Sequence, residues 1–472
     1  MMTKTSPTKL ALALLVAFAA APSFAQTTND ALLKELQALR ARVDELEKKL
    51  QAVPAAPADG TQAQWGMTPE QAADFNKLLV KTEGIEDSIE SNGFKALKFS
   101  GFMDPTYLWN RDQHRSGFQF LSPVAVNGYG YDDGYFGTLA LDFQKELEGG
   151  TKLRVTLMPN RGAGSISGVD YSLVHEASFS IPLGDLQTRL IGGQIPDWSG
   201  YEYTQPTTTK LVTRGLLLDF TEPTTYTGAG MEIISGKWDM KAVVANMNSF
   251  RQGANQKWPV LAYRADYSKG EFNGFGFAGV EGNFANYNYG VLPGAASQSH
   301  LDLFEADGYF IRGDLTLQGQ LSFGHQKDAA IAPDADGNAQ DARWFGASAL
   351  FAYKLDPRTE FVTRADFIKN DKNGGGLLGY TGYYDGEGAA GDYANGIGAA
   401  GGCIVGGEGS PSCKGSNRAA VSIGFNYAFT PNAVIKAEYR YDWASQPVFL
   451  DSMSNTYRKN NHLLGTQLVL SF

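Results

Sequence analysis

The sequence predicts an all-β fold: a transmembrane antiparallel β-barrel of about sixteen strands, with an N-terminal α-helical coiled coil. Eighteen strands is the alternative count. Three observations carry this expectation. From Ala96 to Phe472 the chain reads as a series of short segments in which apolar and polar residues alternate, the period of a strand with two unlike faces. In the segment that starts near Asn432 the polar face is charged at successive positions, Lys436, Glu438, Arg440 and Asp442, which a packed apolar core would not accept. Connections between the segments also alternate, tight turns with long loops, as in barrels that have one short rim and one long one.

Taken from the N-terminus, Lys4 and Lys9 precede the apolar run Leu10 to Ala21 and the small residues of Ser23-Phe24-Ala25. This is the pattern of an export signal, so residues 1–25 are expected to be removed. The formal charge is −10 and becomes more negative once Lys4 and Lys9 are lost, which disfavours nucleic acid as a partner. A heptad follows over residues 26–52: Leu36, Val43 and Leu50 take a positions, and Leu32, Leu39 and Leu46 take d positions. Arg42, Val43, Leu46 and Glu47 match an Arg-h-x-x-h-Glu pattern that resembles short trimeric coiled coils. Residues 53–95 begin with an Ala/Pro/Gln/Gly linker. Thr68-Pro69-Glu70 then supplies a cap and a first-turn proline for a short helix to about Lys81. Residues 96–472 form the barrel.

The alternating segments start near Ala96, Tyr135, Thr151, Leu173, Leu186, Tyr226, Lys237, Pro259, Phe272, His300, Leu315, Arg343, Thr359, Arg418, Asn432 and His462. The clearest is Leu315–Phe323, where Leu315, Leu317, Leu321 and Phe323 share one face while Thr316, Gln318, Gln320 and Ser322 share the other. Tight turns are expected at Glu148–Gly150, Leu183–Asp185, Ser235–Gly236, Arg312–Asp314, Leu355–Arg358 and Thr430–Asn432. A slightly longer one is expected at Ser268–Gly274. Most connections at the other rim are long, the longest being 372–417. Cys403 and Cys413 lie close together in that segment, and in an oxidising compartment they are expected to bridge.

The last strand, His462–Phe472, ends on an aromatic residue and resembles the closing strand of a Gram-negative outer-membrane barrel, which makes Phe472 a candidate assembly signal. With the strand series, the chain resembles trimeric sixteen-stranded outer-membrane porins over everything after the signal peptide. The coiled-coil prefix is similar to that of the DcaP-like porins and of uncharacterised porin-related families, whereas general diffusion porins lack one. The resemblance implies passive diffusion of small hydrophilic solutes through a homotrimer. It places the barrel in the outer membrane among lipid and lipopolysaccharide, and the coiled coil in the periplasm.

The same resemblance implies that the connection after strand 5 folds inward and narrows the pore. Its candidate charges are Asp197, Glu202, Lys210, Arg214, Asp219 and Glu222. Opposite them the expected lumen wall carries Arg154, Arg189, Arg264 and Arg364, with Lys436, Glu438, Arg440 and Asp442 also facing inward. An acidic loop facing a basic wall would filter solutes by charge. The bland alternative is that these charges pair with one another. Trp198, Tyr201 and Tyr203 offer rings for a sugar, although a stacking platform needs several of them aligned.

Other chemistry finds little footing. Asp334, Asp336 and Asn338 have calcium-loop spacing, but Ala339 and Phe345 stand where that loop needs Gly and Glu. His114, His175, His300, His325 and His462 show no ligand spacing, so no metal site and no cofactor is expected. No hydrolase, nucleotide-binding or redox motif occurs, and the chain is expected not to be an enzyme. The rival functions are a structural anchor, with the coiled coil engaging the cell wall, and a barrel-borne outer-membrane enzyme.

Overall fold

The computed structural model describes residues 71, 74–75, 77–82, 96–121, 136–159, 173–248, 258–286, 288–290, 292–378, 404–405, 408–409 and 414–472. Two units are distinguished, residues 1–92 and 93–472. In the first, residues 71, 74–75 and 77–82 are helical. The expected signal peptide, the heptads and the Cys403–Cys413 bridge lie outside the described residues.

The second unit is a closed antiparallel barrel. Its sheet contains eighteen hydrogen-bonded segments, yet the barrel has sixteen staves because the first two are each broken. Strand β1 runs Leu97–Met103 and resumes as Thr106–Asn110. Strand β2 runs Arg115–Gln119 and resumes as Leu139–Glu146. The lower piece of β1 pairs with the second piece of β2, and the upper piece pairs with the first. Asp104-Pro105 causes the break in β1, since proline has no N–H for the ladder. The count of sixteen is therefore the one observed, and the alternative of eighteen strands is not, since the two extra segments are pieces of broken staves.

From there the strands follow in order: β3 Lys152–Leu157, β4 Val174–Leu183, β5 Asp185–Pro196, β6 Thr225–Ser235, β7 Trp238–Met247 and β8 Val260–Gly270. They continue as β9 Asn273–Ala285, β10 Gln298–Arg312, β11 Leu315–Gln326, β12 Ala342–Lys354, β13 Thr359–Lys369, β14 Arg418–Thr430, β15 Ala433–Ala444 and β16 Asn460–Ser471. Each pairs with its sequence neighbour, and β16 closes on both pieces of β1. At the seam the backbones of Gly101 and Phe472 exchange two hydrogen bonds of 3.1 Å. A side chain on Gly101 would strike the Phe472 ring at 2.7 Å, so the glycine makes room for that ring beside Phe99.

The tight turns fall at one rim, as expected. Ser268–Gly274 is tighter than expected, because β8 and β9 extend to Gly270 and Asn273. One connection at the other rim is a correction. The first is not long but a four-residue turn, Arg111–His114, and the extra chain sits as an insertion inside β2. The break at Asp104-Pro105 hid the upper hairpin from a search for unbroken alternation.

Outward residues of the strands are large and exposed: Phe275 and Phe277 on β9, Leu321 and Phe323 on β11, and Val421, Ile423 and Phe425 on β14. Many inward residues are buried, which a plain water-filled tube would not give. Towards the long-loop rim the inward positions are small and apolar, such as Val243, Ala245, Ala262, Ala278 and Val280, and they share a buried cluster with Leu377, Leu378, Val448 and Phe449 from the loops. The expectation of polar residues along the whole inward face is corrected there: loop side chains fill that part of the interior and dry it.

Candidate constriction site

The connection between β5 and β6 spans residues 197–224 and includes a short helix, α1, Leu216–Phe220. Its side chains meet the inward faces of the strands, so it lies inside the barrel. Six contacts place it. At its root, Asp197 accepts hydrogen bonds from the Tyr226 hydroxyl at 2.6 Å and from Ser199, and the Trp198 carbonyl accepts one from Arg264 at 2.7 Å. The Tyr201 hydroxyl meets Ser348 on β12 at 2.7 Å. Further on, Lys436 on β15 donates to the carbonyls of Pro206 and Thr209. Leu211 then packs with Leu350, Ala352 and Val362, and α1 packs against β12 and β13. Gly346 on β12 gives α1 its seat: a Cβ there would stand 3.0 Å from the Leu217 side chain.

The charges follow the bland alternative. Glu202 accepts from Arg364 at 2.7 Å and from the Gly215 amide at 2.5 Å. Arg364 also donates to the Thr213 and Arg214 carbonyls and to Asp366. Glu438 accepts twice from Thr213, and Arg440 donates to the Arg214 carbonyl while holding Asp442. Lys210 reaches Glu360 at 2.6 Å. Arg214 turns back onto the loop's own Thr204 and Val212 carbonyls. Glu222 accepts from Gln320, which also reaches Glu305. Of the six candidate loop charges, Asp197, Lys210 and Asp219 keep partial exposure, while Glu202, Arg214 and Glu222 are buried. Buried charges persist only when paired or hydrogen-bonded: Glu202 has Arg364, and Arg214 has the loop's own carbonyls.

The wall therefore divides. Arg264, Arg364, Lys436, Glu438, Arg440 and Asp442 lie beneath the inward segment, not across from it. On the other side Arg154, at 38% side-chain exposure, pairs with Asp142 and Glu176. Arg189 is buried against Ser180 and the Gly150 carbonyl. The inward residues that sequence reasoning missed are Lys98, Lys152 and Lys241. With Arg154, Gln144 and Glu232 they line a cavity of about 360 Å³ that the loop's Trp198 also touches. Their signal was available, since each lies on the polar phase of its strand.

Trp198 packs on Tyr226 with ring centroids 5.1 Å apart, Tyr201 is tied to Ser348, and Tyr203 alone of the three rings is exposed. They form no aligned platform for a sugar. Two loop carboxyls are shifted. Burial pushes Asp197 up to about 6, against the lowering effect of its bonds from Tyr226 and Ser199. Burial raises Glu222 well above the usual carboxylate range, and the neighbouring Glu305 charge adds to it. Asp334, far from this site, accepts amides from Asp336 and Asn338 in an exposed turn, as expected of a plain polar turn.

A closed sixteen-stranded antiparallel barrel with an inward-folded connection after β5 defines the structural class, and that architecture resembles outer-membrane porins. The chain belongs to the family described as "Protein of unknown function (DUF3138)", whose model matches residues 67–258 and 268–472. No curated protein matches it. Similar solved structures include OmpF of Salmonella typhi in complex with daunomycin, at 11% identity and a TM-score of 0.48, covering 80% of this chain and 97% of that one. The anion-selective porin from Comamonas acidovorans is 9% identical with a TM-score of 0.48, covering 80% and 99%. OprB of Pseudomonas putida is 11% identical with a TM-score of 0.48, covering 88% and 100%.

Proposed function

We propose that the protein is an outer-membrane porin that passes small hydrophilic solutes by diffusion, without catalysis. Its barrier is the 197–224 segment, and its charge filter is the opposing wall of Lys98, Lys152, Arg154 and Lys241. One observation supports this above the others. A segment held inside the barrel by buried ion pairs and backbone hydrogen bonds still leaves a polar, partly basic cavity on its free side. Such an arrangement narrows a channel rigidly and leaves charges where a passing solute meets them. The outward bands of Phe, Leu and Val support placement in a bilayer, among lipid and lipopolysaccharide. The heptads of residues 26–52 support a homotrimer with its coiled coil in the periplasm, and Cys403 with Cys413 supports a stapled external loop.

The test is single-channel recording in a planar bilayer, with reversal potential under a salt gradient. Stepwise insertions that close in three equal sublevels are the expected result. Folded, heat-modifiable protein that leaves the bilayer silent would overturn the reading.

A further inference from the structure

The outer face of the barrel carries a row of ionisable side chains that conduction does not use. On β9 and β10, Glu281 and Asp302 are direct cross-strand partners, and Asp302 faces His325 on β11, which faces Arg343 on β12. His300 lies two residues before Asp302 and so shares its face. The Leu301 and Leu303 side chains alternate with them and are buried inside. One ligand atom each from Glu281, His300 and Asp302 lies within 4.8 Å of the other two. Sequence reasoning dismissed the histidines for want of spacing. His300-Leu301-Asp302 is nevertheless a two-ligand spacing for a strand, and the third ligand comes from register.

We propose that Glu281, His300 and Asp302 form a binding site for a divalent transition-metal ion on the outward surface of β9 and β10, near the long-loop rim. Two carboxylates directly opposite each other in a sheet repel, and a cation between them removes that penalty. An imidazole with two carboxylates suits zinc, cobalt or nickel better than magnesium or calcium, which take oxygen ligands throughout. The site has the outer support such ligands need. Asp302 holds His300 Nε2 at 3.0 Å through one oxygen and His325 Nδ1 at 3.3 Å through the other. His325 Nε2 is held at 3.0 Å by Asp341, which accepts from Arg343 at 3.3 Å. That chain orients the Asp302 carboxylate. His300 and Asp302 are 43% and 39% exposed, so an ion can enter and keep an open coordination position. The row beneath, Phe304, Phe323 and Phe345, forms an apolar floor. Because the site lies on the opposite face of the wall from the lumen, it stands whether or not the conduction reading does.

The experiment titrates the metal-stripped full-length protein in detergent with Co²⁺, read by its visible absorption, and with Zn²⁺, read by calorimetry. One ion per chain is expected. His300→Ala and Glu281→Gln should each weaken binding by about tenfold or more, and His325→Gln by roughly tenfold, the usual effect of losing an outer support. His114→Ala, remote from the row, should leave affinity unchanged. Heat-modifiable electrophoretic mobility establishes that each variant is folded. Absence of saturable binding, or binding that survives His300→Ala in folded protein, would overturn the site.

Discussion

The two sides of this barrel carry the same kind of inward residue and use it differently. Along β12–β15, Arg364, Lys436, Glu438, Arg440 and Asp442 are at most 4% exposed and hold the 197–224 segment. Along β1–β7, Lys98 and Lys152 remain exposed, and Arg154 keeps more than a third of its side-chain surface. The contrast comes from what covers each wall and not from the strands, which alternate alike on both sides. Charges on one side fix the loop in place, while those on the other stay exposed.

Removing the anchor is the most direct way to break this contrast. Arg364→Ala deletes the bonds to Glu202, to the Thr213 and Arg214 carbonyls and to Asp366, leaving two buried carboxylates without their cation. Breaking a buried pair costs about 3–5 kcal/mol, enough to release a segment from its seat. We expect single-channel conductance to rise clearly, with the barrel still heat-modifiable. Unchanged conductance would show that the segment is not the barrier. Gly346→Phe should act in the same direction but less strongly. It pushes Leu217 and α1 off β12, and overpacking of this kind costs about 1–3 kcal/mol.

The sequence made the staves legible because an apolar outward face and a polar or loop-covered inward face impose a period of two. The sixteen starts and the short-turn rim are seen from Gln144 pairing with Arg154 round to Phe102 pairing with Ser471. Period alone does not reveal which charged phase a loop will cover. Lys436 and Lys98 look alike in sequence, and only the descent of residues 206–209 onto Lys436 separates them. Nor could it show the dry upper interior, where Val243, Val244 and Ala245 are apolar on both faces. The metal-ligand row was hidden for a third reason: Glu281 and Asp302 meet by register across a loop.

The shifted carboxyls sharpen the comparison by changing the loop side alone. Between pH 8 and pH 5, Asp197 takes up a proton, so the loop side loses negative charge. Reversal potential should therefore move towards anions as pH falls. Stability has a definite sign too. A carboxyl whose folded pKa lies above its unfolded value contributes stability that is complete below about 3.8 and is lost as pH rises through about 6, the window of Asp197. Thermal unfolding should thus occur at a higher temperature at pH 5 than at pH 8, and Asp197→Asn should reduce that difference. An unchanged difference in the variant would remove Asp197 from the account.

The smallest effect is expected on the open wall. Lys98→Ala and Lys152→Ala remove exposed charges that hold no part of the segment, and exposed substitutions of this kind usually change stability by no more than about 0.5 kcal/mol. Unfolding temperature and conductance should stay close to those of the unaltered protein. Reversal potential should shift towards cations, and more so at low salt, because screening over the Debye length weakens the field of an exposed charge. The double variant should shift it further than either single one. If instead these variants lowered stability as Arg364→Ala does, the wall of β1–β3 would be a second seat, and the division between anchoring and exposed charges would fail.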